Sequence, residues 1–207
     1  MAQHPAERRD ASRLLVLRRA AGALEHRVFA ELPELLSPSD LLVVNDARVV
    51  PARLLGRKAG TGGKVELLLV RPAADSGAGE NEGAAAALGR EISALPWICL
   101  GQASKGLKPG ALVELEADLR AEILESRGEG EFLVRFSGTD GSLLDAIHRA
   151  GRLPLPPYIE RPPAPEDSDR YQTIYARSPG SVAAPTAGLH FTPEVLDRLR
   201  ARGVSRA

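Results

Sequence analysis

The run L-V-E-L-E-A-D-L-R-A-E-I-L-E-S-R-G-E-G-E-F-L-V-R-F, residues 112–136, holds three short strand-like segments: Leu112–Leu115, residues 121–124 and residues 132–136. Between the second and third stands Arg127-Gly128-Glu129-Gly130, a cluster of turn formers. Moving toward the N-terminus, the same texture returns at residues 53–56, 64–70 and 97–100, with Thr61-Gly62-Gly63 and Pro109-Gly110 as further turn signals. Regularly spaced short strands with glycine turns predict a small antiparallel sheet or barrel. Residues 73–89 interrupt the series with Ala, Gly and acids, Leu88 being their one larger apolar side chain. Such a stretch cannot bury enough surface to order itself and is expected to be a flexible excursion between two strands.

Outside this module the pattern changes. Residues 13–18 read as a strand flanked by arginines, and residues 33–36 as one helical turn. Residues 41–44 form a continuous apolar run that ends in Asn45-Asp46. That is the pattern of a buried strand whose end emerges at a surface. Ser142 reads as the N-cap of a helix with Leu143, Leu144 and Ile147 on one face and Gly151 as its stop. Prolines keep residues 153–159 extended. A last helix covers residues 193–202, with Thr192 as cap, Pro193 at its first position and Gly203 after its end. The expected architecture is therefore an α/β main domain, discontinuous over residues 1–52 and 151–207. Into it a small antiparallel β-barrel domain is inserted over residues 53–150, closed by the helix near 142–150.

With 207 residues the chain is long enough for one large or two modest domains. Its 27 basic and 27 acidic residues balance, so the net field offers no bulk attraction to nucleic acid. Arg8, Arg9, Arg13, Arg18 and Arg19 crowd the start and read as a solvated face. Cys99 is the single cysteine, which excludes an intrachain disulfide and a cysteine-rich zinc site and suits a reducing cytoplasm. No apolar run reaches the length of a membrane span, and a soluble, cytoplasmic protein is expected.

Chemistry-bearing residues are few. Residues 182–191, V-A-A-P-T-A-G-L-H-F, hold Thr186 and His190 in a segment of little bulk just before a helix start. Backbone that can approach a ligand closely suits an anion or nucleotide site; a tight loop packed through its small residues is the alternative. Asn45, Asp46 and Arg48 stand at a strand end, where functional groups are favoured, although Asn45 and Asp46 serve equally as turn formers. Arg152, Tyr158 and Arg161 flank the proline segment. Asp169, Arg170, Tyr171, Gln172, Thr173 and Tyr175 make a polar, aromatic cluster. Arginine forks bind carboxylate or phosphate, and tyrosine can stack on a base. His190 is the histidine best placed for proton transfer near neutral pH, with a hydrogen-bonded structural role as the alternative. The four histidines show no metal-ligand spacing, and no metal site is expected.

Four blocks together carry a resemblance. They are L-L-V-V-N-D-A-R-V-V-P-A-R-L (41–54), T-G-G-K-V-E-L-L-L (61–69), G-R-L-P-L-P-P-Y-I-E-R-P (151–162), and D-R-Y-Q-T-I-Y-A with V-A-A-P-T-A-G-L-H-F-T (169–176 and 182–192). They resemble the S-adenosylmethionine:tRNA ribosyltransferase-isomerase family of queuosine biosynthesis. The resemblance implies transfer and isomerisation of the ribosyl part of S-adenosylmethionine onto the aminomethyl-deazaguanine base of a tRNA. The products are epoxyqueuosine, adenine and methionine. S-adenosylmethionine is then a consumed substrate, with no separate cofactor, and the protein is expected to act as a monomer. It also implies an α/β domain carrying an inserted barrel.

Within the matching blocks, residue chemistry nominates His190 or Asp46 for proton transfer. Arg170 or Arg48 would hold a carboxylate or phosphate, Tyr171 would pack on a base, and Thr186 would bond the nucleoside. Asn45, Arg152, Tyr158 and Thr173 complete the substrate-binding set. Family members are longer: against them the chain enters after an opening segment and stops before a glycine-rich T-L-H-V-G-x-G-T-F stretch. A truncated inactive relative, or an RNA-binding barrel without catalysis, are the competing expectations.

Overall fold

A computed structural model describes residues 3–73, 83–138 and 141–207. They form two compact units. One draws on the chain up to Ala47, on Pro157–Arg177 and on Ala184–Ala207; the other is Arg48–Pro156 with Ser178–Ala183.

The first unit mixes helices with short strands. Strands β1 (Arg13–Arg18) and β2 (Ala23–Val28) form an antiparallel hairpin, Arg13 opposite Val28 and Arg18 opposite Ala23. A single helical turn α1 (Leu32–Leu35) follows, then the two-residue strand β3 (Leu41–Leu42). The sequence predicts a buried strand over residues 41–44, and here the structure differs. Only Leu41 and Leu42 are strand, and Leu41 and Val43 are 58% and 73% exposed. The reason is pairing: among the described residues β3 has one neighbour, a two-residue parallel strand at Ser205–Arg206, so only one side chain, Leu42, is drawn onto the core. That core consists of Phe29, Phe191, Val195, Leu199 and Val204. The rings of Phe29 and Phe191 meet edge to face at 5.0 Å, a favourable quadrupole geometry.

In the second unit, β4 (Ala47–Val49) leads into a closed barrel. Its strands are β5 (Arg53–Lys58), β6 (Lys64–Pro72), β7 (Trp97–Ala103), β8 (Leu112–Leu115), β9 (Arg120–Gly128) and β10 (Glu131–Ser137). Spatial order is β5-β6-β7-β10-β9-β8, and β8 pairs back onto β5, every pairing antiparallel. Closure leaves these six strands without a free edge. Alternate residues point inward: Val65, Leu67 and Leu69 from β6, Val113 and Leu115 from β8, Phe132, Val134 and Phe136 from β10. At the closing seam Gly56 faces Leu115, and a Cβ there would lie 2.3 Å from the Glu114 carbonyl oxygen. Only glycine lets the two backbones come this close.

Part of the expected excursion is ordered. Residues 74–82 lie outside the described residues, but Ala84–Leu88 form helix α2, with Ala87 and Leu88 buried. The helix does not supply its own burial. Leu88 joins the barrel core, and small residues let Gly180 approach so closely that its Cβ would meet that of Ala84 at 2.9 Å. Helix α3 (Leu143–Ala150) starts at a capping box, the Ser142 hydroxyl accepting from the Asp145 amide, and buries Leu143, Ala146, Ile147 and Ala150. Strand β11 (Gly151–Arg152) then adds to β5.

The remaining elements are α4 (Asp167–Arg170), β12 (Ser178–Ser181), α5 (Pro193–Ala201) and β13 (Ser205–Arg206). β12 pairs with β4 and β13 with β3. The Thr192 hydroxyl caps α5 by accepting from the Val195 amide at 3.3 Å, with Pro193 opening the helix as the sequence predicts.

Candidate functional site

The V-A-A-P-T-A-G-L-H-F segment is a turn of 3-10 helix, Thr186–His190, tightened by the Gly188 amide donating to the Pro185 carbonyl at 2.8 Å. Gly188 is buried against the 169–175 cluster. A Cβ at that position would fall 2.6 Å from the Tyr175 hydroxyl and 2.8 Å from the Thr173 methyl. Small residues here do what the sequence suggests: they let one backbone segment lie on another.

Arg9 fastens these two segments. Its guanidinium donates to the carbonyls of Gln172 (2.7 Å), Leu189 (3.2 Å) and Asp169 (2.9 Å). Burial, and then the neighbouring Arg170, push its pKa below the ordinary arginine value, while Asp169 works the other way. Sequence reading places Arg9 in a solvated basic face, and the structure corrects this. No local signal marks it, because its partners are backbone carbonyls some 160 to 180 residues away.

The Arg9 carbonyl in turn orients the candidate base. His190 Nδ1 lies 3.3 Å from it, and the ring packs 5.3 Å from that of Phe29. A carbonyl only accepts, so this bond requires the proton on Nδ1. In the neutral ring Nε2 then carries the lone pair.

Nearby hydroxyls behave differently. Thr173 is 5% exposed, and its Oγ1 is buried with no hydrogen-bond partner among the described residues. Thr186 is exposed. Tyr171 has its phenol pushed up by burial, an effect opposed by a hydrogen bond from the Ala184 amide. Tyr158 is 45% exposed. The Arg170 guanidinium donates to the carbonyls of Glu7 and Ala6. A cleft of about 530 Å³ opens beside Arg9, Arg170, Ile174, Phe191, Thr192 and Glu194, at the start of α5.

A second scaffold holds the proline block to the cluster. Arg161 grips Asp167 with two bonds of 2.6 and 2.8 Å, and the Ala164 amide adds a third to the same carboxylate at 2.7 Å. The Arg161 bond is the main reason the Asp167 pKa is depressed. Gln3 ties in the same block through Tyr158, Glu160 and Arg161.

The structure thus brings His190, Thr186, Thr173, Arg170 and Tyr171 into adjoining segments of one unit. Asn45 is a turn former here, its Oδ1 accepting from the Ala47 amide at 2.8 Å. Asp46 is exposed in that unit, its carbonyl taking the Arg177 amide at 2.7 Å. Among the described residues Asp46 shares no hydrogen bond or ion pair with His190. Arg48 and Arg152 belong to the barrel unit; Arg48 is exposed, and Arg152 pairs with Glu116 at 2.9 Å. No group of three or more His, Cys, Asp or Glu able to hold a metal exists among the described residues.

A family model described as Queuosine biosynthesis protein matches residues 1–207. The chain belongs to this family. Among curated relatives, the S-adenosylmethionine:tRNA ribosyltransferase-isomerase of Anaeromyxobacter dehalogenans (strain 2CP-C) is 54% identical over 206 residues, covering 100% of this chain and 54% of its own length. The protein of the same name from Pelobacter propionicus is 45% identical over 207 residues, with 100% and 55% covered. The queuosine-family chain thus spans about half the length of the curated relatives it matches. Among solved structures, the S-adenosylmethionine tRNA ribosyltransferase of Thermotoga maritima is 31% identical, over 100% of this chain and 52% of that one, with a TM-score of 0.33. No described helix of this family member is long and apolar enough to cross a membrane.

Proposed function

We propose that this chain acts as an S-adenosylmethionine:tRNA ribosyltransferase-isomerase. The ribosyl moiety of S-adenosylmethionine moves, with isomerisation, onto the aminomethyl-deazaguanine base of a tRNA, releasing adenine and methionine and leaving epoxyqueuosine. The observation that carries this reading is 54% identity over the whole chain to a curated protein of that name. S-adenosylmethionine is consumed, so no separate cofactor takes part; we place the activity in the cytoplasm and read the protein as a monomer. We also infer that the barrel is an insertion into a discontinuous α/β domain. In support, all six barrel strands lie between Arg53 and Ser137, and the other unit is assembled from segments on both sides of them.

The chemistry assigns work to the residues described above. A base must take a proton from the carbon beside the sulfonium, and adenine needs a proton as it departs. His190 Nε2 suits the first task because Nδ1–H is held by the Arg9 carbonyl. Asp46, exposed in the same unit, is the second candidate. Arg170 beside the cleft would attract the methionine carboxylate, with Arg48 as its alternative. Tyr171 would pack against a base, and the hydroxyls of Thr173 and Thr186 would bond the nucleoside. Asn45, Arg152 and Tyr158 complete the substrate contacts.

Adenine release from S-adenosylmethionine in the presence of tRNA bearing the aminomethyl-deazaguanine base tests the proposal. His190→Ala should lower turnover by about 10²- to 10⁴-fold, the usual share of general acid–base catalysis, with Asp46→Ala as the companion variant. If both variants turn over near wild type, these proton-transfer roles fall. If the wild-type chain releases no adenine, the activity itself is refuted for this chain.

A further inference from the structure

The chain has 23 arginines and only four lysines, Lys58, Lys64, Lys105 and Lys108, all in the barrel unit. Three of the four line one cavity of about 390 Å³. Lys58 sits at the end of β5; Lys105 and Lys108 sit on the connection from β7 to β8. Between them lie the hydroxyls of Thr61 and Ser104 and the small residues Gly63, Gly106 and Ala111. No acid lines this cup. The neighbouring barrel cavity sets Arg57 and Lys64 against Glu114 and Glu116, and the cleft at α5 likewise mixes both signs.

Many arginines elsewhere in the molecule are engaged in ion pairs. Among the described residues the ion pairs are made by arginine and none by a lysine. Within the cup the Lys58 ammonium donates to the Gly106 carbonyl, which engages one of its three N–H groups and ties β5 to the opposing loop. Both loops are fixed by backbone bonds: Lys58 amide to Gly63 carbonyl (2.9 Å), Gly106 to Ala103 (3.1 Å) and Ala111 to Lys108 (3.1 Å). The three lysines therefore line a hollow whose loops are held by backbone bonds and whose wall also carries the hydroxyl residues Thr61 and Ser104. Lysine binds phosphate as a compact point charge with rotatable donors, and the arginine fork also binds it, in bidentate fashion.

We propose that this lysine cup binds phosphodiester groups of an RNA backbone. The choice of RNA rests on the tRNA-modifying reading above; the preference for phosphate rests on the cup itself. The cup would position the nucleic acid without reading its sequence, as backbone contacts do.

Fluorescence anisotropy of the full chain with a tRNA transcript, titrated across salt concentrations, tests this. Lys105→Ala/Lys108→Ala removes two exposed ammonium groups and should weaken binding about tenfold at low salt. It should also reduce the steepness of log K against log salt by roughly 1.5, two phosphate contacts at 0.7–0.9 each. Lys105→Arg/Lys108→Arg should retain most of the affinity. Arg18→Ala/Arg19→Ala removes the same formal charge from the other unit and should leave the slope unchanged. The proposal is overturned if the lysine variant binds as wild type does, if the arginine control weakens binding equally, or if the wild-type chain does not bind RNA. Inorganic phosphate is titrated in parallel, and lysine-dependent binding of phosphate without lysine-dependent binding of RNA would also overturn the RNA assignment. Lysine-dependent RNA binding without adenine release would refute the catalytic reading and leave the cup standing.

Discussion

Thr173 presents a buried hydroxyl with no partner among the described residues, beside the glycine on which the T-A-G-L-H turn rests. An unpaired buried hydroxyl costs stability, on the order of 1–3 kcal/mol, unless a bound group satisfies it. Thr173→Val keeps the shape and removes that cost. The expected outcome is a thermal midpoint equal to or above that of wild type, together with about tenfold weaker binding of S-adenosylmethionine by calorimetry, one lost hydrogen bond. A variant that is more stable and binds undiminished would leave Thr173 with a packing role only. At this scale the sequence shows which residues are able to carry chemistry but not how their backbones are held. Thr186, Gly188 and His190 stand out because a compact segment of small residues is legible as such. Arg9 does not, since it bonds carbonyls contributed by distant segments, and a carbonyl looks the same in every residue. Asn45 shows the limit from the other side: the residue that ligates well also turns well, and here it turns.

At the scale of elements, strands whose turns are marked by glycine are legible in position but not in length: residues 121–124 read as a strand where β9 runs Arg120–Gly128, and residues 97–100 where β7 runs Trp97–Ala103. All six barrel strands stand where the glycine-bounded apolar runs place them, because each run has a covered face and a nearby partner. Helix α3 was legible through Ser142 and Gly151, which act locally. Elements made by distant pairing were not. β12 is the unpromising S-P-G-S, made a strand by β4, and α2 is a short alanine-rich helix that orders against surfaces built by others. The proline block is held more locally, by Arg161 on Asp167 six residues along the chain. Because the folded pKa of Asp167 is depressed, its contribution is fully present above its unfolded value of about 3.9. It is lost as pH falls through the lower folded value. Asp167→Asn should lower the thermal midpoint of its unit by about 5 °C or more at pH 7. The gap to wild type should close as pH is taken from about 5 toward 2. A gap that stays constant over that range would mean the carboxylate charge is not what holds the block.

Over the whole molecule, the two units are unequal in what they bury. Twenty-five apolar residues form the core of the barrel unit among the described residues, and five that of the other. The smaller core also leaves large apolar side chains in solvent, Leu15, Leu17 and Leu24 on its hairpin and Leu41 and Val43 near β3. Since burial is the dominant favourable term and scales with the area covered, the unit that carries His190 and Thr173 should open first. The chain supplies its own reporters of the other. Trp97 is its single tryptophan and Cys99 its single cysteine, both on β7 inside the barrel, 2% and 0% exposed. Burial drives the Cys99 thiol far above its ordinary pKa, so alkylation must await opening of the barrel. In a urea titration, Trp97 emission and Cys99 alkylation should therefore move together at the higher midpoint. Amide exchange in α5 and in the β1–β2 hairpin should rise at a lower one. S-adenosylmethionine should raise only that lower midpoint if its site lies where the chemistry-bearing residues are, because a ligand stabilises the state that binds it. Coincident transitions would show that the units fold as one. A ligand-induced shift confined to the Trp97 transition would move the nucleoside site into the barrel.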